Sequence, residues 1–315
     1  MNYNKTFEAP PPSTPAQSQQ KRADTRDGRV YVWNPEIELA VNVALATERP
    51  LLVRGPSGSG KSSLAAAVAR AKGWRYYEEV VSSRTEAQHF LWRFDALRRL
   101  SDAQTNEGVQ DPVAYVRPGT LWWAFDLDSA QKRGVKKRLP KIEDPNRMPS
   151  STATRAVVLI DEIDKADPDV PNNLLVPLGS LEFTCTDAGD AKVKAVEAPL
   201  VVITTNDERE LPNAFLRRCV VATLQRPLPA QLIDIATAHY GPDAANLYGR
   251  VADALEKVAA TKEKRLHPPS TAEYLDAIAA CIQLEVQPDE TSQVWREITR
   301  AIFVKPAKHE EARER

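Results

Sequence analysis

The sequence predicts an α/β fold, a doubly wound parallel sheet, followed by a small all-α domain. Three short apolar runs, at 51–54, 157–160 and 200–205, are typical of strands buried on both faces of a parallel sheet. An alanine-rich segment directly after the first run favours a helix there. Beyond residue 227 the apolar spacing becomes helical, and it predicts helices near 229–240, 244–264, 270–285 and 289–303.

Composition narrows the class of protein. The chain has 315 residues and a formal net charge of −1, which gives no general attraction to nucleic acid or anionic membrane. Its three cysteines are far apart and form no C-x-x-C pair, so we expect neither a disulfide framework nor a zinc site. We see no secretory leader and no apolar run long enough for a membrane helix. We therefore expect a cytoplasmic protein without a membrane partner.

The residues 55–62 read G-x-x-x-x-G-K-S, the signature of a phosphate-binding loop, and they follow a strand-like run and precede a helix. Glycines let successive backbone N–H groups turn toward phosphate oxygens, and the new helix adds its positive end. We expect Lys61 to contact the β- and γ-phosphates of ATP and Ser62 to bind Mg²⁺. The alternative is a glycine-rich turn that matches by chance. The predicted ATP-binding residues are Gly55, Pro56, Ser57, Gly58, Ser59, Gly60, Lys61, Ser62 and Ser63.

A second motif lies about 100 residues after this loop. The apolar run 157–160 ends in Asp161 and Glu162. Neighbouring side chains of a strand point in different directions, so the two carboxylates can have different roles. We expect Asp161 to help bind Mg²⁺ and Glu162 to polarise the water that attacks the γ-phosphate.

We divide the chain into four parts. Residues 1–28 are rich in proline and glutamine and should be a disordered tail, in which a short P-x-x-P pattern is either plain tail or a docking motif. The nucleotide-binding core spans 29–226, a helical domain spans 227–304, and residues 305–315 form a charged tail. Within the core, 128–154 is a basic insertion loop, either a solvated surface or, less favoured, a nucleic-acid contact.

Two further segments of the core carry local predictions. The spacing of Ser83 and Glu86 matches a capping box and predicts a helix that contains Phe90, Leu91, Phe94 and Leu97. The pair Trp122–Trp123 belongs either to the core or to a loop that contacts a partner.

The chain resembles the MoxR-like branch of the AAA+ ATPases over roughly residues 29–304. The phosphate loop and the acidic motif are shared with a wider class, and their combination with two later stretches is specific for AAA+ proteins. The matching stretches are 50–62, Arg117-Pro118-Gly119-Thr120-Leu121, 160–166, 200–206 and 211–219.

This resemblance implies roles for three more residues. Asn206 would be the first sensor, bonded to the attacking water or the γ-phosphate; alternatively it caps a turn at a strand end. Arg217 and Arg218 would be arginine fingers that reach the nucleotide of a neighbouring subunit, unless they are only solubilising charges. The helical domain would be the lid over the nucleotide. A second sensor arginine has no clear counterpart, because residues 267–271 stand at its place.

The resemblance also implies an activity: ATP hydrolysis to ADP and phosphate by a homo-oligomer, a ring of six, that remodels a partner protein. That protein substrate or effector could carry a von Willebrand A-type domain. Two alternatives remain: an ATP-gated oligomeric scaffold in a bacterial conflict system, and a DNA-acting motor. The near-neutral net charge argues against nucleic acid as a partner.

Overall fold

The computed structural model describes residues 3–11, 28–104, 110–135, 139–148, 151–243, 246–260 and 269–304. These residues form two compact units. The first takes in the N-terminal residues through Ala9, Trp33–Gly55 and Lys61–Thr223. The second takes in the described residues between Pro10 and Val32, the loop residues Pro56–Gly60 and the chain from Leu224 onward. The predicted boundary at 226/227 stays a prediction, and the observed division falls three residues earlier.

A five-stranded parallel sheet organises the first unit, as predicted. Its strands are β1 (Leu51–Arg54), β2 (Arg75–Val80), β5 (Ala156–Asp161), β8 (Leu200–Thr205) and β9 (Val220–Thr223). Their order is β2-β5-β8-β1-β9. The apolar runs become the three central strands, and β5 and β8 are buried along their whole length. Because all strands run the same way, β1, β5 and β8 end at one edge of the sheet.

Helices and two small antiparallel hairpins surround this sheet. The helices are α1 (Pro35–Thr47), α2 (Lys61–Lys72), α3 (Ala96–Gln104), α4 (Thr120–Phe125), α5 (Leu127–Lys132), α6 (Asp169–Ser180) and α7 (Asn213–Leu216). The hairpins pair β3 (Trp92–Phe94) with β4 (Val116–Pro118), and β6 (Glu182–Cys185) with β7 (Ala191–Lys194). Trp122 and Trp123 are 0% and 3% exposed, so the tryptophan pair belongs to the core.

The second unit is helical after Leu224, as predicted. Its helices are α8 (Pro229–Tyr240), α9 (Leu247–Ala260), α10 (Thr271–Leu284) and α11 (Gln293–Phe303). Ser270 caps α10 and forms a capping box with Glu273. Buried residues from all four helices form one apolar core, including Val251, Leu255 and Ile278. Of the stretch considered for a second sensor, 267–271, the first two residues, His267 and Pro268, lie outside the described residues.

The helix predicted from the Ser83–Glu86 capping box is wrong. The chain instead forms a short 3₁₀ turn at Ala87–Phe90, then strand β3, and only then helix α3. Phe90 at the end of the 3₁₀ turn and Trp92 at the start of β3 are both buried, and β3 pairs antiparallel with β4. Pairing of β3 with β4 therefore outweighs the local capping signal.

The N-terminal tail also differs from prediction where the structure describes it. Phe7 is 1% exposed and packs against the ring of Trp33. Asn42 of α1 accepts a hydrogen bond from the Phe7 N–H and donates one to its carbonyl oxygen, at 2.7 and 2.8 Å. One buried aromatic and two backbone hydrogen bonds anchor this segment to α1. The rest of the predicted tail, 12–27, lies outside the described residues, as does the charged tail 305–315.

The basic insertion is partly packed where it is described: Lys132 and Lys141 are exposed, whereas Arg133 is buried. Arg133 is 8% exposed and donates to the carbonyl oxygen of Pro140 at 3.0 Å. Leu139 and Ile142 lie against the main core. Lys136, Lys137 and Arg138 of the same basic stretch are outside the described residues. In the part of the chain that the structure describes, no helix is long and apolar enough to cross a bilayer.

Candidate active site

The carboxyl ends of three adjacent strands bring the predicted site residues together. Strand β1 leads into the phosphate loop, β5 ends at Asp161, and β8 ends one residue before Asn206. In the sheet β8 lies between β1 and β5. Ligands of open parallel sheets bind at this edge, beyond the carboxyl ends of the strands. The observed topology therefore places Gly55, Asp161 and Asn206, which end or follow these strands, at one edge of the sheet.

The phosphate loop has the backbone that its glycines allow. Gly58 has φ of +73°, a conformation in which a side chain is strained. A Cβ on Gly58 would also lie 2.3 Å from Cβ of Ser270, a residue of the same unit. The hydroxyl of Ser59 is buried and has no hydrogen-bond partner among the described residues. An unbonded polar group in this loop suits a phosphate ligand, since buried polar groups are normally hydrogen-bonded.

Lys61 begins helix α2 and is 5% exposed. Its Nζ donates to the carbonyl oxygen of Gly55 at 2.7 Å, so the side chain folds back along the loop. Burial lowers the pKa of Lys61, and the carboxylates of Asp161, Asp164, Glu162 and Asp207 act in the opposite direction. The ammonium group thus lies near these four carboxylates, and a phosphate bound to Lys61 would lie near them as well.

Asp161 is 1% exposed, and hydroxyl groups satisfy its buried charge. Ser62 Oγ and Thr204 Oγ1 both donate to Asp161 Oδ1, each at 2.6 Å. Hydrogen bonds to charged groups contribute about 1.5–3 kcal/mol each. Ser62 Oγ and the Asp161 carboxylate are hard oxygen donors of the kind Mg²⁺ prefers. The residues present therefore fit a Mg²⁺ ion held together with a nucleotide.

Both carboxylate oxygens of Glu162 have partners. Oε2 accepts a hydrogen bond from Lys165 Nζ at 2.6 Å, and Oε1 accepts one from Asn206 Nδ2 at 3.4 Å. The bond to Glu162 raises the pKa of Lys165. Glu162 itself has φ of +62°, an uncommon conformation that costs of order 1–3 kcal/mol and is concentrated at functional sites. The predicted base and the predicted sensor are thus direct neighbours.

Residues 50–219 match the protein family described as "AAA domain (dynein-related subfamily)". The chain belongs to this family. The matched span covers more than half of the chain and contains every predicted site residue, from the phosphate loop to the arginine pair. An AAA domain with this parallel sheet is a P-loop nucleotide-binding unit, and the family implies nucleotide hydrolysis. A search of curated proteins finds no match to the chain.

Two buried residues of the AAA domain's acidic centre were missed in the sequence. Thr204 bonds Asp161 and also accepts the backbone N–H of Glu162 through Oγ1 at 2.9 Å. Asp164 is 3% exposed, and its Oδ2 accepts the backbone N–H groups of Asn206 and Glu208 at 3.1 and 3.0 Å. A carboxylate three residues after Asp161 and a hydroxyl two residues before Asn206 were the available signals. Neither spacing is diagnostic without the strand pairing.

The arginine pair of the AAA domain stands apart from this centre. Arg217 and Arg218 follow the short helix α7, and both are exposed. Neither side chain has a hydrogen bond or ion pair with any residue that the structure describes. A cavity of about 350 Å³ lies beside Arg218, with Phe215 and Leu178 in its lining. No residue of the phosphate loop lines this cavity.

Proposed function

We propose that this AAA domain is a Mg²⁺-dependent ATPase of MoxR-like type, which works as a ring and remodels a partner protein. One observation carries the catalytic part: the loop lysine, the Ser62–Asp161 pair and the Glu162–Asn206 pair lie at adjacent strand ends. Lys61 would bind the β- and γ-phosphates. Mg²⁺ would be held by Ser62 and Asp161, and when bound it neutralises phosphate charge.

Glu162 is proposed to accept the proton of the attacking water, and Asn206 to orient that water or the γ-phosphate. The contact with Asn206 supports this assignment, because both side chains must face the same reacting atoms. The contact with Lys165 has a consequence for mechanism. An ammonium group at 2.6 Å from Oε2 occupies one acceptor site of that oxygen, so Lys165 would compete with the attacking water for it.

The ring is supported by Arg217 and Arg218. Exposed arginines without a polar partner among the described residues are available to a nucleotide held by a neighbouring copy. A guanidinium there would stabilise charge that develops in the transition state. We propose a homo-oligomer, a hexamer, whose partner is a protein substrate or effector, with a von Willebrand A-type protein as one candidate. Three unpaired, buried cysteines support a reducing, cytoplasmic location.

ATP turnover by the full chain, measured as released phosphate, tests the catalytic proposal. We expect Glu162→Gln to bind ATP with parental affinity and to lose about 10²- to 10⁴-fold in turnover, since the amide cannot act as a base. Lys61→Ala should fold, by circular dichroism, and lose ATP binding, since one ammonium contact matters for phosphate affinity but little for the core. Parental turnover in Glu162→Gln would contradict the assignment of the base, and unchanged ATP affinity in a folded Lys61→Ala would contradict the site.

A further inference from the structure

The turn that carries Asn206 is held by side chains at each of its backbone N–H groups. Asp164 Oδ2 accepts from Asn206 and Glu208, and Thr205 Oγ1 accepts from Asp207 at 2.9 Å. Asp207 has φ of +60°, a left-handed conformation that aspartate adopts more readily than most residues. We call residues 206–208 the sensor turn. Two of its backbone N–H groups are therefore held by Asp164, which lies two residues after the acidic motif.

The side chain of Asp207, the middle residue of the sensor turn, is held by an arginine from another strand. Arg54 Nε donates to Asp207 Oδ1 and Oδ2 at 2.9 and 3.2 Å, and its Nη2 lies 2.9 Å from Oδ1. A guanidinium that contacts both carboxylate oxygens fixes the direction of its partner as well as the distance. Arg54 is the last residue of β1, directly before Gly55 of the phosphate loop. The pair thus joins the beginning of the loop to the residue after Asn206.

The position of this pair distinguishes it from an ordinary surface ion pair. The side chains of Arg54 and Asp207 are 38% and 42% exposed, and exposed pairs contribute little to fold stability. The strands that they follow are already paired, with Arg54 opposite Thr205, so the sheet does not need the pair for its register. Burial lowers the pKa of Lys61, and the Asp207 carboxylate is one of the nearby charges that act against this lowering. Its charge is therefore part of the phosphate environment.

We propose that Arg54 is a positioning residue, which acts through Asp207 to hold the sensor turn so that Asn206 faces Glu162. This role rests on the proposed ATPase function. Arg54 has no hydrogen bond or ion pair with Asn206 or Glu162; it holds the Asp207 side chain, while Asp164 holds the backbone N–H groups of Asn206 and Glu208. Displacements of about 1 Å in an active site can cost about 10²-fold in rate. Loss of the Arg54–Asp207 contact, with the Asp164 contacts intact, should therefore reduce turnover without unfolding the domain.

The test is a double-mutant cycle of Arg54→Met and Asp207→Asn in the full chain, since asparagine also tolerates the left-handed conformation. Arg54→Met should lower kcat about 10-fold, with an unchanged Tm and little change in ATP affinity. In the Asp207→Asn background the same change should cost much less, because its partner is already altered. Arg54→Lys, which keeps the charge but not the fork, should be intermediate. Arg93→Met, which removes the exposed Arg93–Glu79 pair, is the matched control and should leave kcat unchanged.

Hydrogen exchange of the peptide that contains 206–208 gives a second readout that does not depend on turnover. Arg54→Met should speed exchange of the sensor turn and leave the β8 amides unchanged. Unchanged exchange overturns the proposal, even if the parental chain fails to hydrolyse ATP and the proposed function fails with it. An unchanged kcat in Arg54→Met, a loss explained by Tm or ATP affinity, or an equal loss in the Asp207→Asn background overturns it in a chain that does hydrolyse ATP.

Discussion

The acidic centre (Asp161, Glu162 and Asn206) and the arginine pair (Arg217 and Arg218) differ in whether their polar groups find partners within the same chain. At the ends of β5 and β8, Asn206 hydrogen-bonds the Glu162 carboxylate directly. The Thr204 hydroxyl links the Asp161 carboxylate to the backbone N–H of Glu162. Arg217 and Arg218 lie exposed, with no polar partner among the described residues. The five donor and acceptor atoms of these hydrogen bonds all come from one chain, so a single subunit can assemble this centre. Two unpaired guanidinium groups are instead typical of a surface that is completed by another molecule.

The largest expected effect tests whether that other molecule is a second copy of the chain. Arg217→Ala/Arg218→Ala should still bind ATP and should lose about 10³- to 10⁵-fold in turnover, the usual contribution of an arginine finger. Mixing it with Glu162→Gln should restore activity, because the glutamine variant supplies arginines to a subunit whose carboxylates are intact. The assay is phosphate release from the mixture against each variant alone.

A matched control separates this effect from general loss of surface charge. Arg296→Ala/Arg300→Ala removes two exposed arginines of α11 and should keep parental turnover. Absence of rescue despite demonstrated mixed oligomers would count against action in trans. A monomer with full activity would refute action in trans. The acidic centre and the arginine pair would then differ only in solvent exposure.

A smaller effect examines the acidic centre itself. Lys165→Met removes the ammonium group that contacts Glu162 Oε2 and leaves the Asn206 contact in place. We expect turnover to rise severalfold, because the Lys165 ammonium group no longer occupies an oxygen of the proposed base. Steady-state kcat is the measurement. Lys132→Met, which breaks the exposed pair with Asp128 on α5, is the control and should have no effect. A fall in kcat would mean that Lys165 positions Glu162 instead of restraining it.

The smallest effect is expected for nucleic acid. The basic insertion has several lysines, but of its two described arginines Arg133 is buried and bonded to a carbonyl oxygen, and Arg147 is paired with Glu78. We expect added DNA to leave ATP turnover unchanged and to bind without a steep salt dependence, measured by fluorescence anisotropy at two salt concentrations. Tight, salt-sensitive binding that is lost in Lys132→Gln/Lys141→Gln would favour a DNA-acting motor and would add a third region to the comparison.

Sequence reasoning found the parts of the fold whose signals are local. The three apolar runs predicted the central strands, and the four helices of the second unit lie close to their predicted bounds. It failed where two local signals competed. The capping box at Ser83–Glu86 predicted a helix, yet burial of Trp92 and pairing with β4 made a strand at Trp92–Phe94. It failed again at Phe7, since a single aromatic residue in a polar, proline-rich segment has no periodicity to detect.

The sequence by itself determined which residues are chemically competent and that they would follow strands of one parallel sheet. A phosphate loop between a strand and a helix, and two carboxylates after an apolar run, are contiguous patterns that can be recognised without a partner. Only the tertiary structure decided which side chains hold them in place. Thr204 bonds Asp161 across 43 positions, and Arg54 bonds Asp207 across 153. Such contacts depend on the order of the strands in the sheet, because that order decides which strand ends become neighbours.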